Sequence, residues 1–484
     1  MLMNVGNLKN IALKGVAWSL FDKIINQAGN FILLIYLSRI LSPADFGLIA
    51  MLAIFLAVAQ SLIDSGFSQA LIQKSQSVTE TDLSTVFYVN FVVAILLYCL
   101  LYVSAPFIAT FYNQPELTSL SRVLFIVVII NAISLVPRSK LMIEVDFKTQ
   151  GLINTVAMLV STSVAIYMVH NDFGYWALVG MNLAKVLVNS ILLIVYSKWH
   201  PKWLFSIESF KTLFSFGSKL LIAGVIATTV QNLYSILIGR YFNATQVGYF
   251  QQGYNYTNML SGTLTSVVQG VTFPIMTSIQ EDKNRLIQMY TKVMGIVVFI
   301  TFPVFVGFAA VSEEFVLIFL GENWAPIIPI LIILSFARLV TPISTLNLNI
   351  LNARGRSDLF LKTDLSKLPM TIIALFIAIP YGILGVAIAQ LITTFISFFI
   401  NSYYPGKLFN FGAKQQLKQI YPILIASFIM YLSIVFIKFE AIEIQMLIKI
   451  IFGIFVYTLL CWKFKVAAFI DVSNLIFKRL RKKL

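Results

Sequence analysis

The chain is a succession of apolar runs, each about as long as the roughly 20 residues a helix needs to cross the hydrocarbon of a bilayer. The loops between them are too short to hold a folded domain. Backbone polar groups cannot be left unpaired in lipid, and a helix pairs them within the segment. The expected fold is therefore all-α and polytopic. Composition supports this: 59% of the 484 residues are hydrophobic and 11% are charged, with a mean hydropathy of +0.87. Those values overrule the several soluble domains that length alone would suggest.

Fourteen spanning helices are expected, near 15–38, 46–66, 83–104, 118–137, 151–170, 175–197, 213–238, 246–273, 289–310, 326–351, 359–379, 382–403, 419–437 and 444–462. The loops near 68–82 and 274–288 are expected to form short interfacial helices. No signal peptide is expected ahead of the first span. Cys99 and Cys461 both lie inside apolar runs, so neither a disulfide framework nor a metal spacing is present. No cofactor is expected.

Basic residues set the orientation, because short cytoplasmic loops retain Lys and Arg. With the N-terminus inside, nearly all loop Lys and Arg fall on the cytoplasmic side. Arg138, Lys140 and Lys148 are examples, as are Arg354, Arg356, Lys362 and Lys367. Only Arg39, Arg240 and Lys438 fall on the other. Both termini are thus expected in the cytoplasm. The same bias explains most of the net charge of +15 without invoking nucleic acid. The C-terminal segment is a basic amphipathic tail suited to anionic phospholipid head groups, worth about 1 kcal/mol per basic residue near the surface.

One hairpin recurs. Arg39-Ile-Leu-Ser-Pro-Ala-Asp-Phe-Gly47 is echoed 201 residues later by Arg240-Tyr-Phe-Asn-Ala-Thr-Gln-Val-Gly248. Arg, a capping residue, an apolar residue and Gly hold the same places in each. A generic helix–helix turn uses the same residues. A duplication is the other reading, and repeated halves with a site between them are common in transporters. On that reading residues 1–206 form one six-helix lobe and 207–410 the other. Helices thirteen and fourteen, 411–464, are appended, followed by the tail at 465–484.

Polar residues inside spans mark candidate sites, because charge in a bilayer must face protein or a wet cavity. Arg338 heads a stripe of Thr341, Thr345, Asn349 and Asn352 on one helix face; the alternative is an internal ion pair that only ties helices together. Lys185 shares a face with Asn182, Asn189 and Tyr196. In the first span Ser19, Lys23, Asn26 and Asn30 line one face, with Asp22 beside Lys23 as a neutralising partner. The eighth span carries Gln251, Asn255, Asn258, Thr265 and Gln269, neutral groups that suit a sugar or polar helix packing equally. Asp64, with Gln60 on its face, is either an ion site or a cap at the membrane edge. Asp22 and Asp64 are the candidate ion-coupling carboxylates. Lys219 lies on the wrong face of its helix, and Arg122 is placed to snorkel. Cations surrounded by amides and hydroxyls would attract an anionic, sugar-bearing ligand.

LSRILSPADFGLIAM (37–51), DSGFSQALIQK (64–74), LSTVFYVN (83–90), PFIATFYNQPEL (106–117) and PRSKLMIEVDFK (137–148) carry a resemblance. With them the chain resembles the Wzx-type polysaccharide flippases of the multidrug/oligosaccharidyl-lipid/polysaccharide exporter superfamily, nearest its colanic-acid-exporter-like branch. The resemblance is most specific over 1–150. It implies fourteen helices in two six-helix lobes with an appended pair. It also implies alternating-access movement of an undecaprenyl-diphosphate-linked oligosaccharide across the cytoplasmic membrane, for O-antigen, capsule or exopolysaccharide. A cationic central cavity for the pyrophosphate is implied, with a polysaccharide polymerase and a chain-length regulator as partners. It fixes no coupling ion.

Two rival classes stay open. A multidrug exporter of the same superfamily would favour interior carboxylates for organic cations, while the interior here is mainly basic. A glycan polymerase or lipid-linked glycosyltransferase would want catalytic groups on a large outer loop. The outer loops near 105–117 and 311–325 offer Glu116, Glu313, Glu314 and Glu322 but no histidine; His170 and His200 sit at span ends. The chain is accordingly expected not to be an enzyme.

Overall fold

A computed structural model describes residues 5–64, 66–75, 77–279 and 281–481; side chains are described throughout except at some positions, chiefly in 5–17, 216–233, 266–283 and 475–481. Every regular element among them is helical. In chain order the first elements are α1 (Val5–Ser38), α2 (Pro43–Asp64), α3 (Phe67–Gln73), α4 (Glu80–Tyr112), α5 (Leu117–Leu124), α6 (Ile126–Ile143) and α7 (Phe147–His170). They are followed by α8 (Trp176–Ser197), α9 (Ile207–Gln231), α10 (Leu233–Tyr241), α11 (Ala244–Ser278), α12 (Lys283–Ala310), α13 (Ser312–Phe315) and α14 (Ile328–Arg338). The last are α15 (Thr341–Ala353), α16 (Ser357–Ser366), α17 (Leu368–Ala378), α18 (Gly382–Phe409), α19 (Ala413–Val435), α20 (Ile442–Lys463) and α21 (Ala467–Arg481). Among the described residues ten helical segments are long and apolar enough to cross a membrane. The protein is therefore a multi-pass membrane protein.

Helix ends follow the local chemistry. At the start of α4, Thr79 Oγ1 accepts from the Asp82 N–H at 3.2 Å, and the Asp82 carboxylate accepts from the Thr79 N–H at 3.0 Å. This reciprocal pairing satisfies donors that a helix start leaves open. Lys74 closes on the same carboxylate at 2.8 Å. Of the stretch 68–82, where a short helix is expected, residues 68–73 belong to the short helix α3. No separate helix occupies 274–288, because α11 simply continues to Ser278 before α12 begins at Lys283. The connection after α12, expected to be a loop, is helical: α13 runs into a π-helical turn at Val316–Leu320 and a 3-10 turn at Glu322–Ile327.

The chain packs as two compact units, 1–251 and 252–484. In the first, α7 lies between α1 and α8, α6 packs on α4 and α8, and α2 packs on α9. The core there is built from Ile63, Phe67, Leu71, Val86, Val128, Leu135 and Val136. Gly66 has φ +69, and a Cβ there would lie 2.6 Å from the Gly217 carbonyl oxygen. Only glycine tolerates that backbone and that closeness.

The two echoed hairpins meet in this unit. A Cβ on Gly47 would lie 1.8 Å from the Ala244 carbonyl oxygen, and a Cβ on Gly248 would lie 1.8 Å from the Pro43 carbonyl oxygen. Pro43 and Ala244 hold the same place in the echoed segments, as do Gly47 and Gly248. The first turns of α2 and α11 thus cross backbone to backbone, and each hairpin makes with the other the contact it receives.

In the second unit α12 packs on α14, α15 and α19, and α18 packs on α14, α15 and α17. Tyr290, Asn347 and Gln416 form a fully buried hydrogen-bonded triad joining α12, α15 and α19. The amphipathic tail is helical as α21 and rests on α12, with Lys292 and Asp471 paired at 3.1 Å. A second buried link ties α20 to α13. Lys449 (3% exposed) pairs with Glu314 (0%), and Gln445 donates to the same carboxylate oxygen. Removing one member of such a pair strands the other charge, whereas removing both can be nearly neutral. Lys449→Met is therefore expected to lower the melting temperature in detergent by several degrees. The double variant Lys449→Met/Glu314→Leu should recover most of that loss.

Candidate functional site

Within the first unit a continuous chain of polar groups crosses four helices. Asp22 on α1 accepts from Asn26 Nδ2 at 2.6 Å and from Asn154 Nδ2 at 3.0 Å. Asn154 Oδ1 on α7 accepts from Asn189 Nδ2 at 2.9 Å, and Asn189 Oδ1 on α8 accepts from Arg138 Nη2 at 3.4 Å. The small Gly151 lets α7 approach Asp22, since a Cβ there would sit 3.1 Å from the Asp22 Cβ. Asp22 is thus turned toward α7 rather than engaged only with its neighbour Lys23, whose side chain is exposed. Asn30 is half-buried further along the same helix.

Arg138 needs a correction of place. The sequence reading put it in a cytoplasmic loop, because the apolar run ends at Pro137. In the structure α6 passes through Pro137 and continues to Ile143, so Arg138 is a half-buried helical residue. Its charge acts at longer range on Asp64 at the end of α2. Asp64 is not a helix cap: its Oδ1 accepts from Gln60 Nε2 at 3.1 Å, and Gln60 Oε1 accepts from Asn131 Nδ2 at 2.7 Å.

Lys185 lies one turn before Asn189 on α8. It is half-buried, and its ammonium has no hydrogen bond or ion pair among the described residues. Asn182 on the same face donates back to the Leu178 carbonyl at 2.8 Å. A polar cavity of about 480 Å³ opens between α2 and α9, with Gln60, Ser61, Asp64 and Gln69 on one side and Thr228 and Asn232 on the other. The break between α9 and α10 falls at Asn232, at the cavity wall.

The second unit carries the other cation. Arg338 ends α14, and α15 restarts at Thr341 with Pro342 in its first turn. A discontinuous helix of this kind frees backbone groups in the span, as transporters do at their binding sites. The Arg338 guanidinium sits 4.6 Å from the centroid of the Tyr254 ring. Its Nη2 is buried without a hydrogen-bond partner, and among the described residues no carboxylate pairs with it. Two turns or so along α15, Asn349 is 8% exposed and its Nδ2 also lacks a partner. Thr345 Oγ1 donates to the Thr341 carbonyl at 3.1 Å.

The stripe on α11 is less uniform than its spacing suggests. Asn255 donates to Gln252 Oε1 at 3.0 Å, Asn258 is exposed, and Gln251 is half-buried. Thr265 Oγ1 is buried without a partner. The side chains of Gln269 and Lys219 lie outside the described residues. Arg122 does not simply snorkel: its guanidinium lies 4.5 Å from the Tyr102 ring centroid. Sequence reasoning missed Arg138, Asn154 and Tyr254 as parts of polar interiors. The Pro137-Arg138 pair was the available signal for the first, since proline does not end a transmembrane helix.

An apolar cavity of about 420 Å³ lies between α12, α19 and α20, lined by Pro303, Gly307, Met430, Ile434, Gly453 and Tyr457 among others.

Comparison with known proteins places this architecture. The chain matches the family described as polysaccharide biosynthesis protein over residues 36–329. It is 30% identical to the teichuronic acid biosynthesis protein TuaB of Bacillus subtilis over 351 residues, 71% of each chain. It is 26% identical to the lipopolysaccharide biosynthesis protein WzxC of Escherichia coli, covering 81% of each chain. Among solved structures, the lipid II flippase MurJ in an inward closed conformation superposes with a TM-score of 0.77 at 16% identity, covering 93% of this chain and 98% of that one. An inward-facing multidrug resistance MATE transporter superposes with a TM-score of 0.61, covering 79% and 95%. The last two show a shared fold, and the family match with the TuaB relationship shows the lineage: this chain is a member of the polysaccharide biosynthesis protein family of multi-pass membrane proteins.

Proposed function

We propose that the protein is a flippase that carries a polyprenyl-diphosphate-linked oligosaccharide across the cytoplasmic membrane by alternating access. The observation that carries this reading is the pair of interior cations, Lys185 and Arg338, neither of which has a carboxylate partner among the described residues. An unpaired charge in a membrane interior is expensive, and an anionic ligand relieves that expense. Each cation, within its own unit, is of a type that binds phosphate oxygens, Arg as a planar fork and Lys as a point charge. Names of relatives agree: WzxC is a lipopolysaccharide biosynthesis protein, and ExoT of Rhizobium meliloti is a succinoglycan biosynthesis transport protein.

On this reading the chain makes fourteen passes with both termini in the cytoplasm, and the reciprocal Gly47–Gly248 crossing supports an internal duplication. The polyprenyl chain stays in the bilayer, and the apolar cavity beside α20 suits it. Asp22 is a carboxylate available for ion coupling. The α21 tail meets anionic phospholipids, and a polymerase and chain-length regulator act on the product outside. No covalent step is required of the protein.

Binding of geranyl diphosphate to the protein in lipid nanodiscs tests the cation assignment. Lys185→Gln is expected to weaken binding about tenfold, the scale of one lost charge-assisted hydrogen bond. Unchanged affinity would remove Lys185 from the site.

A further inference from the structure

We infer that the cavity between α2 and α9 is a sugar subsite, in which Asp64 accepts hydrogen bonds from the hydroxyls of a neutral sugar ring. The inference rests on the flippase reading and adds to it where the glycan, rather than the diphosphate, is held.

The cavity has the chemistry of a carbohydrate site. Its volume of about 480 Å³ lies within the range of roughly 300–1,000 Å³ typical of small-molecule pockets and is far more than a bare ion fills. Gln60, Ser61, Gln69, Thr228 and Asn232 surround one carboxylate, Asp64. Amides and hydroxyls both donate and accept, so they match the paired donor and acceptor character of sugar hydroxyls. Among the described residues no basic side chain lines the cavity.

Gln60 is engaged with Asp64 and Asn131, but part of the hydrogen-bonding capacity around it is unspent. Asp64 uses Oδ1 for Gln60, while Oδ2 has no hydrogen bond among the described residues. Asn232 donates to the Thr228 carbonyl at 2.8 Å and keeps its own Oδ1 open. Gly224 clears space on the α9 wall, since a Cβ there would come 3.1 Å from Ser61 Oγ. Arg138 balances the carboxylate from α6 without entering the cavity. It also joins the cavity to the cation-bearing face: Arg138 bonds Asn189, and Asn189 is one turn from Lys185. The polar path therefore runs from a phosphate-binding cation to a hydroxyl-binding carboxylate, in the order that a sugar diphosphate presents them.

The test compares two probes on protein in nanodiscs: neryl diphosphate, and neryl diphosphate carrying a single hexose. Wild type is expected to bind the hexose probe about tenfold more tightly. Asp64→Asn and, independently, Thr228→Val should shrink that advantage to within about twofold while leaving affinity for the sugar-free probe unchanged. Binding of the sugar-free probe also reports that each variant is folded. Lys185→Gln should weaken both probes alike. If wild type binds neither probe, the flippase reading itself fails. If wild type prefers the hexose and both variants keep the preference, the flippase reading stands and the subsite is overturned. Loss of sodium or proton dependence in Asp64→Asn with the sugar preference intact would also overturn it, assigning the carboxylate to a coupling ion.

Discussion

Arg338→Ala is expected to abolish surface polysaccharide while the protein stays at its normal level in the membrane. The guanidinium is stacked on Tyr254 and has a buried Nη2 with nothing to bond. Removing it therefore breaks no ion pair on which folding depends, but takes away an interior cation placed at a helix discontinuity. A loss of at least a hundredfold in export is the expected scale, because a diphosphate deprived of an arginine fork in a low-dielectric site loses two charge-assisted hydrogen bonds at once. Arg338→Lys should keep part of the activity, since a point charge still attracts phosphate but lacks the fork. Immunoblotting beside glycan staining reads both quantities. Full activity in Arg338→Ala would remove the residue from the site, and a fall in protein level alone would make its role structural.

Gly47→Ala and Gly248→Ala are expected to have an effect of similar size by another route. A Cβ at either position would lie 1.8 Å from a carbonyl oxygen of the facing helix, whereas carbon and oxygen in contact need roughly 3.3 Å or more. The first turns of α2 and α11 must then move apart by about 1.5 Å, and overpacking of that order disfavours the crossed arrangement by about 1–3 kcal/mol. On the proposed alternating-access reading this crossing forms and separates during the cycle. Biasing it by that amount shifts the populations about 5- to 150-fold. Export should fall at least fivefold in each variant. The double variant should be little worse than either single one, because both act on one contact. Normal export in both single variants would show that the crossing does not form part of the cycle.

Much of the architecture was legible in the sequence because apolar runs of membrane length are its strongest periodic signal. The boundaries of α7, α8 and α20 fall within a few residues of the expected spans, whereas α4 runs eight residues past the expected end at 104. Where the reading failed, the cause was local. Pro137 marks the end of an apolar run, but in a membrane helix neighbouring groups take up the hydrogen bond that proline omits. The helix continues, and Arg138 is a half-buried helical residue rather than part of a loop. The expected separate helix near 274–288 is absent among the described residues because α11 extends to Ser278 and α12 already begins at Lys283.

Pairing was less accessible still. Asp22 finds Asn154 across 132 residues, and Glu314 finds Lys449 across 135; no spacing rule connects such positions. The echo of Arg39–Gly47 in Arg240–Gly248 could be seen as a repeat. That the two hairpins touch, glycine against the opposite helix start, required coordinates. Lys185 and Arg338 stood out from sequence as charges in spans, and the structure added what spacing cannot give, namely that neither has a counter-ion among the described residues.

Lipid mass spectrometry of a strain lacking the protein tests translocation most directly. A flippase for a polyprenyl-diphosphate-linked oligosaccharide predicts accumulation of the completed lipid-linked oligosaccharide together with loss of surface polysaccharide. Accumulation of only a shorter lipid intermediate would contradict it by placing the protein in biosynthesis of the oligosaccharide. An unaltered lipid profile with new drug sensitivity would contradict it in favour of multidrug export.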